Sequence, residues 1–266
     1  MNLLTALGLN FGLLVAIMVI LWIISIRIRD VSFVDAFWAY GMAIMASTSF
    51  IQLNNPGALA YLIWTLTAFW GIRLGTHLFL RWRKEGMDPR YKSIMGKAID
   101  KQGMSFAKAA LLKIWMLQIP LLFIVCLPAQ LGILLADGNS IGPVAIIGAL
   151  IALLGIAFET IGDMQLKAFR AKPENKGKVL DSGLWKYTRH PNYFGDFCTW
   201  WGIWLVASQT GWPVWIAAVG PLFLSFTLMK WSGAPLLEKS LRKNRPDYAD
   251  YIQRTSGFFP MPPKKN

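Results

Sequence analysis

The 266-residue chain is 55% hydrophobic and 14% aromatic, and its basic residues outnumber its acidic ones to give a formal net charge of +13. This composition argues against a soluble globular protein, because apolar runs near the bilayer-crossing length of about 20 residues recur along the whole chain. The positive charge would suit a nucleic-acid partner, but basic cytoplasmic loops explain it better in a membrane protein. We therefore predict an integral membrane protein that contacts lipids and binds no nucleic acid.

The apolar runs predict an all-α integral membrane bundle of seven transmembrane helices in a single domain. Pro120 and Pro128 are expected to kink the fourth span, and the fifth is expected to continue as a polar helix to Arg170. A long basic loop is expected between spans three and four, over residues 81–108, and an amphipathic cytoplasmic tail over residues 236–254. In chain order the expected spans are about 4–24, 36–53, 59–80, 109–135, 141–158, 194–208 and 212–229.

Lysines and arginines concentrate in alternate connections of this scheme. The N-terminus and the connections near residues 54, 137 and 210 contain none, whereas the other connections and the C-terminal tail hold nearly all of them. Because cytoplasmic loops carry the excess of basic residues, the N-terminus is expected outside and the C-terminus in the cytoplasm. The N-terminal run lacks a basic segment and a cleavage site, so it is expected to be a retained helix and not a signal peptide.

The cysteine and histidine counts argue against a metal site and against a disulfide framework. Cys126 and Cys198 each lie inside an apolar run, and two histidines, His77 and His190, are too few for a histidine cage. No cluster of Cys, His and Asp has metal-ligand spacing. We therefore expect no metal.

The segment Ser182–Asp196 is far more polar than the apolar runs on either side of it. Ionisable groups at a membrane boundary are costly, so they predict a functional site. Pro191 should stop a helix and turn the chain. Arg189 can then grip a phosphate bidentately, and the amide of Asn192 offers a donor and an acceptor to a heterocycle. The segment therefore suits a ligand that has both phosphate and polar heterocycle parts.

An interfacial belt of aromatic and basic residues is the alternative interpretation of this segment. Trp185 and Tyr193 offer stacking surfaces to a ligand, yet a belt would also place tryptophan and arginine here. The belt does not explain Asn192 and Asp196, and we therefore favour a binding site.

A second polar set lies at helical spacing at the end of the fifth span. Glu159, Asp163, Lys167 and Arg170 share one helix face. Their alternative interpretation is a solvated stripe whose basic residues meet lipid phosphates.

Asp35 lies near the start of the second span between the apolar residues Val34 and Ala36, with Phe37 and Trp38 following. A carboxyl group that is partly desolvated favours its protonated form, so Asp35 is expected to act as a proton donor. The alternative is a helix-start carboxylate that interacts with the helix dipole, a role that Asp30 fits better.

Two further ionisable residues lie one turn apart near the end of the third span. They are Arg73 and His77. Snorkelling to the interface would explain His77 better than Arg73, which lies deeper in the span.

Residues 183–196, Gly-Leu-Trp-Lys-Tyr-Thr-Arg-His-Pro-Asn-Tyr-Phe-Gly-Asp, resemble the C-terminal signature of the steroid 5-alpha-reductase family. They also resemble the related sterol C14 reductases and uncharacterised bacterial membrane proteins of that group. The similarity covers roughly the last 110 residues, and Asp30–Trp38 resembles the bacterial branch. The resemblance implies a multi-span reductase that uses NADPH to reduce an activated carbon–carbon double bond. It also implies a hydrophobic, steroid-like or lipid enone as substrate and a bacterial inner membrane as location.

The resemblance also implies roles for individual residues. Asp35 falls where the animal enzymes place the acid that binds the substrate ketone, and Arg73 matches an arginine of an early cofactor-contacting helix. These two residues are the predicted catalytic set. The predicted cofactor-binding set is His77, Arg81, Asp163, Lys167, Arg170, Trp185, Tyr187, Arg189, His190, Asn192, Tyr193, Asp196, Glu238 and Tyr248.

The chain departs from the animal enzymes at one position. They place a tyrosine shortly before the arginine, whereas Phe69 and Trp70 precede Arg73 here, so the hydroxyl partner of Asp35 is open. Tyr40 and Tyr61 are alternative candidates for the acid.

Two other functions remain open at the sequence level. The Arg-His-Pro-x-Tyr core is shared with isoprenylcysteine carboxyl methyltransferases, which use S-adenosylmethionine. A methyltransferase acting on a lipid-soluble acceptor is therefore one alternative, and a non-catalytic lipid- or sterol-binding membrane protein is another. No Gly-x-Gly-x-x-Gly occurs, so we expect NADPH in a pocket open to the cytoplasm and not on a Rossmann domain.

Overall fold

The computed structural model describes residues 2–231, 233, 238, 241, 242, 245 and 247–264. These residues form helices and no strand. Within the predicted amphipathic tail 236–254, the structure describes residues 238, 241, 242, 245 and 247–254. The other residues of that tail lie outside the described residues. The α-helices are α1 (Leu3–Ile28), α2 (Val34–Ile51), α3 (Ala58–Glu85), α4 (Pro89–Gly96), α5 (Phe106–Ala110), α6 (Met116–Val125), α7 (Leu127–Leu134), α8 (Pro143–Arg170), α9 (Pro191–Ser208), α10 (Trp212–Ile216), α11 (Val219–Phe226) and α12 (Tyr248–Arg254).

Within the described residues, five helical segments are long and apolar enough to cross a membrane, which confirms the prediction of an integral membrane protein. The helices α2 and α9 have 18 residues each and carry an acidic residue near their start. They coincide with predicted spans two and six but are not among the five, so the seven-span scheme stays a prediction. The five segments are Leu3–Ile28, Ala58–Glu85, Phe106–Val125, Pro143–Arg170 and Trp212–Trp231.

The structure corrects the predicted loop 81–108 and the predicted fourth span. Helix α3 continues to Glu85, and α4 forms inside the loop because Asp88 caps its N-terminus and Pro89 occupies its first turn. The fourth span is interrupted at Cys126, after which Pro128 lies in the first turn of α7. The predicted polar extension of span five is confirmed, since α8 runs unbroken to Arg170.

The chain forms two compact units. The first comprises Met1–Gly142 and Ala207–Ala217, and the second comprises Pro143–Val206 and Ala218–Asn266. Asp35 and α3 belong to the first unit, whereas Ser182–Asp196 belongs to the second.

In the first unit, α2 and α3 pack backbone against backbone. A Cβ atom at Gly71 would lie 2.5 Å from the carbonyl oxygen of Ala39, and one at Gly75 would lie 2.8 Å from the ring of Tyr40. Small residues allow this approach between membrane helices, whose association depends on close van der Waals packing. The contact fixes α2, and with it Asp35, on α3.

A buried polar network joins α1, α2 and α7 of the first unit. Asn10 donates to the hydroxyl of Ser49 (2.8 Å) and to the amide oxygen of Gln130 (3.0 Å), and Gln52 donates to Asn10 (2.9 Å). Asn10, Ser49 and Gln130 are at most 1% exposed. Such interhelical hydrogen bonds contribute about 0.6 kcal/mol each on average, so this network adds specificity of pairing more than stability.

In the second unit, glycines spaced seven residues apart let α8 and α9 pack antiparallel at backbone distance. A Cβ at Gly148 would lie 2.6 Å from the backbone nitrogen of Val206, and one at Gly155 would lie 2.5 Å from the carbonyl oxygen of Gly195. Gly162 continues the stripe, 3.2 Å from Pro191. The end of α8 and the start of α9 therefore lie side by side.

Candidate functional site

The Arg-His-Pro-Asn-Tyr run forms the start of α9. Pro191 occupies the first helical position, where its missing N–H costs nothing, and the backbone nitrogen of Phe194 donates to the carbonyl oxygen of His190 (3.0 Å). The sequence suggested that Pro191 ends a helix. In the structure it begins one instead. Its first-turn N–H groups give this end of α9 a partial positive charge.

The acidic half of the predicted stripe on α8 faces this helix start. Glu159 is 3% exposed and Asp163 is 7% exposed, and the amide nitrogen of Asn192 lies 3.4 Å from a carboxylate oxygen of Asp163. Lys167 and Arg170, one and two turns further on, are exposed. The solvated-stripe interpretation is therefore wrong for the two carboxylates, and it stays a prediction for the two exposed basic residues.

Gly183 and Trp185 hold the preceding segment against α8. Gly183 has a φ of 61° and leaves no room for a Cβ, which would lie 2.4 Å from the side chain of Gln165. Gln165 accepts from the backbone nitrogen of Leu184 (3.0 Å), and the Trp185 indole donates to the carbonyl oxygen of Gly162 (3.1 Å). Trp185 is thus a buried packing residue here and presents no open stacking face.

Arg189, His190 and Glu238 form a group that we call the Glu238 clasp. Arg189 donates to Glu238 (2.8 Å) and to the carbonyl oxygen of Thr255 (2.7 Å), and His190 lies 3.0 Å from the same carboxylate oxygen. The side chains of Arg189 and Glu238 are each 13% exposed, and that of His190 is 1% exposed. The interfacial-belt interpretation is therefore wrong for Arg189, whose guanidinium contacts protein groups.

The clasp shifts the acidity of its carboxylate. Burial alone would raise the pKa of Glu238, but hydrogen bonds from His190 and Arg189 and the positive charge of Arg189 outweigh it and lower that pKa to about 2. Glu238 is therefore ionised at neutral pH. Burial raises the pKa of the neighbouring Tyr248 to about 12, which keeps that phenol protonated.

The C-terminal segment is fastened along the whole signature. Tyr251 donates to the carbonyl oxygen of Trp185 (2.6 Å), and Thr188 donates to that of Phe258 (2.7 Å). The backbone nitrogen of Met261 donates to the carbonyl oxygen of Tyr187 (3.0 Å). Residues 251–261 therefore position the signature from one side, while α8 positions it from the other.

His190 retains one polar atom that its surroundings do not use. Its Nδ1 is buried and has no hydrogen-bond partner among the described residues, while its ring stacks on Tyr193 at 5.3 Å. A buried nitrogen of this kind costs free energy unless a ligand or water satisfies it. The groups near the start of α9 that a polar heterocycle could reach are the exposed Tyr187 and the half-buried Asn192.

A cavity of about 280 Å³ lies beside the same segment but on another side of α8 from Asp163. Gln165, Phe169, Lys172, Asn175 and Ser182 are among the residues that line it. The spacing of residues 165, 168, 169 and 172 places them roughly opposite Asp163 on the helix. The cavity is thus separate from the face of α8 that lies against Asn192.

In the first unit, Asp35 belongs to a group that we call the Asp35 cluster, which also contains Asp88, Arg90 and Tyr91. The Tyr91 hydroxyl donates to one carboxylate oxygen of Asp35 (2.5 Å), and Arg90 donates to the other (2.8 Å). Arg90 also forms a two-pronged contact with Asp88, at 3.0 and 3.1 Å. Asp35 therefore has a cationic and a hydroxyl partner, in contrast to the apolar surroundings that the sequence suggested.

The cluster keeps the Tyr91 phenol protonated. Burial and the carboxylate of Asp35 raise the pKa of Tyr91 well above its usual value. Burial would also raise the pKa of Asp88, but its hydrogen bonds from Arg90 and the charge of that guanidinium lower it overall. The first unit therefore presents a protonated phenol beside two carboxylates that share one arginine.

Sequence reasoning missed Tyr91, Arg90 and Asp88. The sequence Asp88-Pro89 is a helix-start signal. No apolar period follows it, however, so the sequence alone predicts a loop there. The alternative acids are engaged elsewhere: Tyr40 pairs with Thr76 (2.9 Å), and Tyr61 packs against Phe50.

Three other predicted residues, Arg73, His77 and Arg81, follow one another along α3 of the first unit. Asp196 lies in the second turn of α9. Among the described residues no group of three or more His, Cys, Asp or Glu could hold a metal ion.

One family model, described as a protein of unknown function (DUF1295), matches residues 21–255. The chain belongs to this family. The family is a steroid 5-alpha-reductase-like one, so the resemblance found in residues 183–196 is confirmed at the family level. The bacterial branch and the kinship with sterol C14 reductases stay predictions. No curated protein and no solved structure matches the chain.

The clasp predicts a pH-dependent loss of stability in Glu238→Gln. Because the pKa of Glu238 is lowered on folding to about 2, its contribution is present above its ordinary value and is lost as the pH falls towards about 2. The variant should be less stable than the parent by about 1–3 kcal/mol at neutral pH, and the difference should shrink below about pH 4.5. Thermal unfolding in detergent across this range measures it.

Asp247→Asn is the matched control, since Asp247 is exposed in the same segment and its side chain caps no helix. It should show no comparable difference. A Glu238→Gln variant as stable as the parent at neutral pH would mean that the clasp does not fasten the C-terminal segment.

Proposed function

We propose that the protein is an NADPH-dependent reductase of the carbon–carbon double bond of a hydrophobic enone, such as a Δ4-3-ketosteroid. The observation that carries this proposal is the hydrogen bond of 2.5 Å between Tyr91 and Asp35. We assign Tyr91 as the hydroxyl partner that the sequence left open; membership of a steroid 5-alpha-reductase-like family supports this assignment. An acid paired with a hydroxyl is the arrangement that an enone carbonyl needs during reduction.

The residues of the second unit fit a dinucleotide. The half-buried Asn192 is suited to an amide or base, and the exposed Lys167 and Arg170 are suited to phosphates. Arg189 already holds Glu238 and the carbonyl of Thr255, so we assign it a positioning role for this site. When bound, the nicotinamide would supply a hydride to the β-carbon of the enone.

The residues of the first unit would manage the charge that this addition creates. Reduction places a hydride on the β-carbon and a proton on the α-carbon, and negative charge develops on the carbonyl oxygen in between. The pair formed by Asp35 and Tyr91 is assigned to that oxygen, where a hydrogen-bond donor is worth most because it acts on charge that exists only during the reaction. The enone would enter from the bilayer, since it is hydrophobic.

We also propose seven membrane spans, with α2 and α9 as the second and sixth, an external N-terminus and a cytoplasmic C-terminus in a bacterial inner membrane. The alternation of lysine and arginine between connections supports this orientation. A reporter fused to the C-terminus should be active only in the cytoplasm, and one fused to the N-terminus only outside. An externally active C-terminal reporter would overturn the topology.

The cofactor is tested by the thermal shift of the purified protein in detergent. NADPH should raise the unfolding temperature, NADH should do so less because it lacks the 2′-phosphate, and S-adenosylmethionine should do little. Asn192→Ala and Arg189→Ala should each reduce the NADPH shift, whereas Asn54→Ala, in an exposed turn, should not.

Other outcomes decide between the alternatives. A shift with S-adenosylmethionine instead would identify a methyltransferase, and no shift with either would favour a non-catalytic lipid-binding protein. An NADPH shift unchanged in both variants would remove the signature from the cofactor site.

The role of Asp35 is tested by turnover of an accepted enone. Asp35→Asn should keep the fold and the NADPH shift but lower turnover by about 10²–10⁴-fold, the usual contribution of a positioned acid–base group, because the pair with Tyr91 loses its carboxyl group. Asp137→Asn is the control: Asp137 is exposed and accepts from the backbone nitrogen of Asn55, so its loss should leave turnover near the parent value. Parent-like turnover in Asp35→Asn would place the acid elsewhere, and loss of the NADPH shift would move Asp35 to the cofactor site.

A further inference from the structure

The Asp35 cluster is a continuous chain of polar contacts from Asp88 to Tyr91. Both carboxylate oxygens of Asp88 accept from Arg90, one from Nε and one from Nη2. The same Nη2 donates to Oδ2 of Asp35 (2.8 Å), and Oδ1 of Asp35 accepts from Tyr91 (2.5 Å). Each oxygen of Asp35 therefore has its own donor.

The chain of contacts is anchored at the Asp88 end. Asp88 caps α4 by accepting from the backbone nitrogen of Arg90 (2.8 Å), and its own backbone nitrogen donates to the Ser32 hydroxyl (3.2 Å). Ser32 in turn donates to Asp30 (2.6 Å), which also accepts from the Trp82 indole (2.8 Å). The start of α4 is thus tied to the turn before α2 and to the end of α3.

Folding stability is a weak explanation for this arrangement. The Arg90 side chain is 50% exposed and that of Asp35 is 25% exposed, and ion pairs as exposed as these contribute little to stability. The geometry is nevertheless specific, because a guanidinium held by two prongs has one fixed plane. That plane determines where the carboxylate of Asp35 can lie.

We infer that Arg90 and Asp88 are positioning residues of the proposed carbonyl site, and that they hold Asp35 as a hydrogen-bond acceptor so that the Tyr91 hydroxyl is aimed at the substrate. This inference rests on the proposed function. Arg90 occupies Oδ2 of Asp35 and leaves Oδ1 for Tyr91. The hydroxyl hydrogen of Tyr91 can then turn from Asp35 to the carbonyl oxygen of a bound substrate. Asp35 tolerates this loss because the guanidinium of Arg90 still neutralises the charge of its carboxylate.

The donor is accordingly the phenol of Tyr91, and Asp35 orients it. Tyr91 donates a hydrogen bond and keeps its proton. The hydride forms the C–H bond at the β-carbon, the electrons of the double bond move to the carbonyl oxygen, and the resulting enolate takes a proton from water at the α-carbon. The reaction therefore consumes one hydride, which the proposed cofactor would supply, and one proton from water.

The first experiment reads the position of Tyr91 without any activity. Difluorotyrosine is placed at position 91, and its fluorine NMR resonance is recorded in the otherwise unchanged protein and in Arg90→Gln, Arg90→Lys and Asp88→Asn. Arg90→Gln should move the resonance, Arg90→Lys should move it less because the charge is kept, and Asp88→Asn should move it in the same direction as Arg90→Gln. Arg83→Gln, an exposed arginine at the end of α3, should leave it in place.

The second experiment measures steady-state turnover of an accepted enone by the same variants. Arg90→Gln should lower kcat by up to about 10²-fold, the effect of a misplaced group, while KM for NADPH stays near the parent value. Tyr91→Phe should lower kcat by about 10²–10³-fold, as expected for loss of an oxyanion donor. Arg90→Lys should recover part of the activity, and Arg83→Gln should match the parent.

The outcomes separate this inference from the function on which it rests. A resonance that does not move in Arg90→Gln overturns the positioning role, and a resonance that moves without a fall in kcat overturns its part in the reaction; in both cases the reductase proposal stands. A parent protein that binds NADPH but reduces no enone overturns the proposed function and the catalytic part of the inference together. An Arg90→Gln variant that does not fold, beside an active Arg90→Lys variant, also overturns it, because the arginine would then be structural.

Discussion

The contact between α8 and α9 is the constraint on which the second unit depends. Backbone meets backbone at three successive glycines of α8, and a Cβ at Gly155 would lie 2.5 Å from the carbonyl oxygen of Gly195. Helices in lipid gain nothing from hiding apolar side chains, so this close packing is a main source of their association. Because the helices are antiparallel, the same contact brings Asp163 beside Asn192 at one end. It thereby fixes the position of the polar segment at the start of α9 against α8.

In both units, charged side chains of the candidate site have partners of opposite charge. Arg189 meets Glu238 and a carbonyl oxygen in the second unit, and Asp35 meets Arg90 and Tyr91 in the first. A charged group that is desolvated without a partner is costly, whereas a paired group is tolerated and is held in one orientation. The pairing therefore explains both why these residues are permitted and why their directions are defined.

The sequence was a good guide to features that have a period. Apolar runs predicted the helices that could cross a membrane, and the helical spacing of Glu159, Asp163, Lys167 and Arg170 predicted a shared face on an unbroken α8. The burial of the first two could not be predicted, because it depends on contact with α9, where Gly195 lies against Glu159 and Asn192 against Asp163. Tyr91 was missed for a related reason: its contact with Asp35 joins positions 56 residues apart, and no local pattern reports such a contact.

Arg189 shows how residue type and residue role can differ. An arginine beside histidine and proline in a polar segment suggests phosphate recognition, since a guanidinium suits a phosphate. In the folded chain the same guanidinium is 13% exposed and is used by Glu238 and by carbonyl oxygens near the C-terminus. Its partners fix His190 and the start of α9, so a substitution at Arg189 would act on a ligand through those neighbours. Weak binding in such a variant would therefore identify a structural dependence, whereas a substitution at the half-buried Asn192 leaves these C-terminal contacts in place.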